Sequence, residues 1–204
     1  MTQTPPVSVG LQAVVDELER ALQGSPADET ELVWVASRRN GAATGKSRRD
    51  RRETSTALNI RVLERRRLGL HRCGSLEPGE IELGIRQAVA HSRVRAPLAG
   101  LLHLPADTTR VEAPAALCDP QIQQLTPQEG RRWLQARLDG AQGQLDWVEA
   151  EIAVVNSRGV RRLAEVTAAE VTVRVDGGPP GGLARRAARQ LDGLEPGDVA
   201  AAAA

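Results

Sequence analysis

The stretch from Asp146 to Val175 constrains this chain more than any other. Trp147, Ala150, Ile152 and Val154 alternate approximately with Glu149, Glu151 and smaller residues, the period of a half-buried strand. Asn156-Ser157-Arg158-Gly159 then supplies turn chemistry, because Asn and Gly tolerate positive φ and Ser bonds nearby amides. Val160, Leu163 and Val166 continue as a second strand, and Val171, Val173 and Val175 alternate through a third. The expectation is a three-stranded antiparallel meander with no nucleophile–base pair and no metal-ligand spacing in it.

A chain of 204 residues holds one large domain or two small ones. Only 1% of it is aromatic, so its core is aliphatic, with Trp34, Trp133 and Trp147 as the large rings. Before the meander, Leu11, Val14, Val15, Leu18 and Leu22 share one helical face, and Gly24 and Pro26 stop that helix. Strands are predicted at 32–36, at 54–63 and at 67–73, with Asn40-Gly41 turning the chain between the first two. Pro78 opens a helix carrying Ile81, Ile85, Ala88 and Val89, which runs to about His91. Thr126-Pro127-Gln128-Glu129 reads as a capping box ahead of a helix whose buried stripe is Leu134, Leu138 and Ala141. Leu183, Ala187, Ala188 and Leu191 suggest a last helix ending at Gly193, and Ala200–Ala204 a frayed tail.

The fold class expected is α+β, with two small antiparallel sheets each backed by helices. Its parts are a flexible lead over 1–10, a first lobe over 11–96, a connector over 97–118, a second lobe with the meander over 119–194, and an Ala-rich tail over 195–204.

Several chemistries find no support. Asn40 to Ser47 imitates a phosphate-binding loop, but the first Gly is replaced and a charge run follows where an apolar helix should open. Arginines cluster at 48–52, 65–67, 161–162 and 185–186, yet Lys plus Arg total 27 against 26 acidic residues. With stacking rings so few, these read as solvated strand edges and loop tips, and nucleic acid is not an expected partner. His71 and Cys73 share a strand face, but two ligands make no zinc site, and His91 and His103 lack ligand spacing. Ser157 belongs to no nucleophile elbow, and Glu149 with Glu151 reads as plain solvation of a strand face. Cys73 and Cys118 are expected reduced. Neither a membrane span nor a signal peptide is in view, so a cytoplasmic protein without a membrane partner is expected.

Two patches resemble a known family. Thr54 to Leu63, then Leu68-Gly69-Leu70 and the helix to Ser92 resemble the first lobe of the TldD/PmbA proteins, also described as modulators of DNA gyrase. Asp119-Pro120, Leu125 to Glu129, and Val155-Asn156-Ser157-Arg158-Gly159-Val160 followed by Thr167 resemble that family's second segment. The resemblance covers the N-terminal half of a family member. It implies a non-catalytic subunit or lobe associated with a zinc metallopeptidase whose His-Glu-x-x-x-His motif lies in the other half. No catalytic or metal-binding residue carries over onto this chain, so zinc enters only if a catalytic partner supplies the ligands. Asn156, Ser157, Gly159 and Thr167 are the carried-over positions, in a structural role. Expected partners are a second copy or a full-length TldD/PmbA-type subunit, with a peptide as the substrate of the complex. Val154, Val155, Val171 and Val173 are the candidate interface, since a three-stranded sheet buries only one face well. The competing readings are the N-terminal piece of a split or truncated peptidase, and a stand-alone module that binds protein or nucleic acid.

Overall fold

A computed structural model describes residues 9–45, 50–106, 117–138, 141–175 and 182–203. Among them, in chain order, are α1 (Val9–Gln23), β1 (Glu29–Ala43), β2 (Arg51–Glu64), β3 (Arg67–Cys73), α2 (Pro78–Arg93), α3 (Pro120–Gln124), α4 (Pro127–Gln135), β4 (Gln142–Asn156), β5 (Arg161–Val175), β6 (Gly182–Ala188) and α5 (Pro196–Ala203). The class is α+β, as expected, but the six strands form one antiparallel sheet in the order β3-β2-β1-β4-β5-β6. Two sheets were expected because each half of the chain can build its own meander. Each meander, however, leaves a 15-residue strand at its edge, β1 in one and β4 in the other. A long unpaired edge exposes a row of N–H and C=O groups, and pairing β1 with β4 satisfies both rows at once.

The described residues divide into two compact units that are interleaved in sequence. One draws on 1–36, 56–113 and 151–164, and the other on 37–55, 114–150 and 165–204. The units therefore do not coincide with contiguous lobes over 11–96 and 119–194. Residues 1–8 of the expected lead and 107–116 of the expected connector lie outside the described residues.

The first unit forms where the apolar stripes of two helices meet every second residue of the strands. Leu11, Val15 and Leu18 of α1 and Ile81, Ile85, Ala88 and Val89 of α2 share a core with Leu32 and Trp34 of β1, Leu58, Ile60 and Val62 of β2, and Ala153 and Val155 of β4. Each fully buried Leu or Ile there contributes about 1.5–3 kcal/mol. β2 and β3 pair from Leu58 opposite Cys73 to Glu64 opposite Arg67. The two residues that turn between them, Arg65 and Arg66, both have positive φ (49° and 63°). This is the backbone a tight hairpin requires, supplied here without the usual Asn or Gly. On β3, a Cβ at Gly69 would stand 1.9 Å from the Ala88 carbonyl oxygen, so α2 lies against bare backbone at that point.

In the second unit, Leu134 and Leu138 pack with Leu145 and Trp147 of β4 and with Ala169, Val171 and Val173 of β5. Ile122 of α3 and Val199 of α5 complete that core. The capping box forms as read: Thr126 Oγ1 accepts from the Glu129 amide (3.3 Å), and the Glu129 carboxylate accepts from the Thr126 amide (2.9 Å). Leu138 is buried, although the helix ends at Gln135.

Four local expectations change. β1 continues straight through Asn40-Gly41, because Gly41 sits in the strand where a Cβ would meet Asp146 Oδ1 at 2.7 Å. β5 is a single strand rather than two, since nothing between Val166 and Val171 has turn chemistry. The last strand of the meander is β6, not a helix. Ala184 and Ala188 fit either period, and pairing with β5 from Ala169–Ala188 to Val175–Gly182 decides it. The alanine tail is helical, with Val199 and Ala203 buried and the Ala203 carbonyl lying over Gly182. Residues 46–49, which hold the end of the loop-like Asn40–Ser47 run and half of the 48–52 cluster, lie outside the described residues, as do 176–181 and Ala204.

Candidate interaction face

Strand alternation sends odd-numbered side chains of β4 and even-numbered ones of β1 into the cores, which leaves the other parity on the opposite face of the sheet. In the first unit that face presents Val33 and Val35 of β1 with Ile152 and Val154 of β4, all half-buried. Glu31 lies on it too, buried and held by Arg61 (2.5 Å). In the second unit it presents Val148 of β4 with Val166 and Ala168 of β5, again half-buried. There the face hollows into a cavity of about 380 Å³, floored by Val148, Ala168 and Ala187 and rimmed by Arg39, Asp146 and Arg185. Arg185 is already engaged by Glu170 (2.7 Å), and Asp146 accepts from Gln144 Nε2 (2.6 Å).

The four candidate interface valines separate on this test. Val154 is on the open face. Val155 belongs to the first core, and Val171 and Val173 to the second, all three at most 1% exposed. They cannot meet a partner, because the helices already cover them. The residues that could replace them are Val33, Val35 and Ile152 in the first unit and Val148 and Val166 in the second.

Three of the four turn-motif residues come together. Asn156 Oδ1 accepts from the amides of Arg158 (2.9 Å) and Val160 (3.0 Å), and Gly159 turns with φ of 83°. Asn156 Nδ2 also donates to the Pro105 carbonyl (2.8 Å), so the turn clasps the connector as well as itself. Beside it, Glu29 accepts from His103 Nδ1 (2.6 Å) and the Leu104 amide (2.5 Å), with Arg158 Nη1 at 3.5 Å. Burial pushes the Glu29 carboxyl up, but these bonds and charges outweigh it and hold it below its usual range. Sequence reasoning missed Glu29, and nothing near it in sequence signals this role.

Thr167 lies elsewhere, in the second unit. Its Oγ1 accepts from the Asp119 amide (2.8 Å) and donates to the Arg189 carbonyl (3.1 Å). Asp119 in turn accepts from the amides of Gln121 (2.9 Å) and Leu191 (2.7 Å), tying the start of α3 to the chain beyond β6.

Other weighed groups have local work. Glu149 is held by Arg38 through two bonds (3.2 and 2.5 Å), which raises the Arg38 pKa, so it is not a free acid. Cys73 and Cys118 are both free thiols, pushed up by burial. The rings of His71 and His91 lie 6.1 Å apart, and His91 Nδ1 is bonded to the Leu70 carbonyl (2.8 Å). A catalytic zinc needs three protein ligands and an open position. Among the described residues no group of three His, Cys, Asp or Glu side chains could hold one, so the donors present do not fit that ion.

The geometry defines a class first: an α+β protein with one six-stranded antiparallel sheet, in which each unit packs helices on one face of its own strands and leaves half-buried aliphatics on the other. Neither a family model nor a curated protein matches the chain in sequence. Solved structures do share its fold. TldE from Thermococcus kodakarensis superposes with a TM-score of 0.73 at 21% identity, over 92% of this chain and 46% of TldE. A candidate modulator of DNA gyrase from Bacteroides thetaiotaomicron gives 0.73 at 15% identity, over 97% of this chain and 49% of that one. Another from Thermotoga maritima gives 0.66 at 13% identity, over 95% and 46%. The chain thus has the fold found in TldD/PmbA proteins, as its two sequence patches suggested, and spans about half the length of those structures.

Proposed function

We propose that the chain serves as a non-catalytic lobe or subunit of a TldD/PmbA-type peptidase assembly, joining it through the open face of its sheet. One observation carries the reading: more than nine-tenths of this chain superposes on only half of each relative. A lobe of that kind works by packing against what the other half provides. The half-buried Val33, Val35, Ile152 and Val154 supply apolar area of the kind protein partners cover. The zinc and the peptide chemistry belong, on this reading, to the partner.

Sedimentation of the purified chain at micromolar concentration, with and without a full-length TldD/PmbA-type subunit, tests it. A mixed complex that Val154→Asp abolishes, without lowering the melting temperature of the chain itself, is the expected result. A monomer that ignores both its own copies and that subunit overturns the proposal. A mixture that gains peptidase activity absent from either component indicates a split enzyme instead.

A further inference from the structure

The first unit carries a second surface that this reading does not use. Val94, Leu98 and Leu102 follow α2 in the chain and are 85%, 43% and 60% exposed. They are not on a loose loop. The Leu98 amide donates to the Arg66 carbonyl (2.8 Å), Arg66 Nη2 to the Ala99 carbonyl (2.8 Å), and Arg67 Nη1 to the Arg93 carbonyl (3.1 Å). The hairpin tip of β2 and β3 therefore fixes the segment that presents these side chains.

That tip is basic. Arg65, Arg66 and Arg67 belong to it, and Arg93 and Arg95 flank Val94. The carboxylates among them are Glu64, which lies 3.6 Å from Arg93 Nε, and Asp28, which accepts from the Arg65 amide (2.9 Å). Glu64, Arg65, Arg67, Ser92 and Arg93 line a polar hollow of about 230 Å³. Arg65 and Arg66 also hold left-handed backbone that non-glycine residues rarely adopt. Arg66 spends its guanidinium on the Ala99 carbonyl, whereas the Arg65 side chain has no bond among the described residues, which points to a further use for it.

We propose that this tip docks on an anionic phospholipid surface. Arg65 and Arg95 meet the headgroup phosphates and Val94, Leu98 and Leu102 enter the acyl boundary. Charge complementarity and the pairing of basic with protruding apolar side chains favour a lipid surface. An acidic protein segment would find a polar hollow beside the apolar residues rather than a groove for them. No described helix is long and apolar enough to cross a membrane, so the contact is peripheral. The near-neutral charge of the whole chain conceals the tip, because the sum averages over both units.

Co-sedimentation of the full chain with phosphatidylcholine vesicles, with and without phosphatidylglycerol, tests this. Binding to the anionic vesicles alone is expected, weakening as salt rises. Arg65→Glu with Arg95→Glu should lower the partition at least roughly tenfold, given what each basic residue contributes at an anionic surface. Val94→Asp with Leu102→Asp should also lower it, with an unchanged melting temperature because all four side chains are exposed. Arg52→Glu, a charge change away from the tip, should bind as the parent does. Equal binding by the tip variants and the parent overturns the proposal. So does displacement by soluble polyglutamate at matched charge, which would assign the tip to an acidic protein segment, or by inorganic phosphate alone, which would reduce it to an anion site.

Discussion

Ser157 and Thr30 hold each other twice across the first unit. The Ser157 amide donates to the Thr30 carbonyl (2.9 Å), and the Thr30 amide donates to Ser157 Oγ (3.0 Å). A residue read from sequence as a local turn former thus anchors the start of β1, 127 residues away.

Ser157→Ala should therefore cost about 1–3 kcal/mol, because the Thr30 amide loses that acceptor. Gly159→Val should cost about 1–2 kcal/mol or more, through its positive φ alone, since nothing crowds a Cβ there. Urea unfolding of both variants checks this. If Ser157→Ala leaves the midpoint unmoved, the bond to Thr30 has no energetic weight.

Gly69→Ala should be worse than either. Its methyl group would meet the Ala88 carbonyl, backbone that cannot rotate away, so α2 must shift off β3. Overpacking of this sort costs about 1–3 kcal/mol, and backbone contact puts it at the upper end. Gly79→Ala, where the space around is open, is the matched control in a thermal melt.

Thr167→Val should lower stability by about 1–3 kcal/mol by leaving the Asp119 amide and the Arg189 carbonyl without their partner. Thr167→Ser keeps the hydroxyl and should retain most of it. A loss in Thr167→Ser with none in Thr167→Val would mean that the methyl group, and not the hydroxyl, is what matters.

Acid should loosen the connector before the cores. The Glu29 carboxyl titrates below its ordinary 4.5, so the stability it contributes is present above that value and is lost as pH falls through the lower folded one. Amide exchange at Leu104 should accelerate across that window. Glu29→Gln should flatten the dependence.

What the sequence disclosed was whatever depends on neighbours in the chain. The stripe of α2, the capping box at Thr126 and the bounds of β3 are local, and they could be read directly. Parity relative to the core is not local. Val154 and Val155 are adjacent, and which of them faces the helices depends on how β4 pairs with β1, a strand about a hundred residues earlier; a slip of one residue would exchange them. The same dependence hid β6, whose short Ala-Arg run becomes a strand only because β5 is beside it. Glu29 was illegible for a related reason: it is a single carboxylate whose partners come from distant segments, and the bond of Asp119 to the Leu191 amide is equally distant, although its cap of Gln121 is local.

The interleaving of the units has a consequence for how this chain can be cut. β1, β2, β4 and β5 each begin in one unit and end in the other, so no single break separates the two cores. A cleavage at the connector would leave the first core without Ala153 and Val155 and the second without Ala42. Neither fragment would inherit a complete interior. Any rearrangement that conserves this fold must move all of it together, as one heritable block.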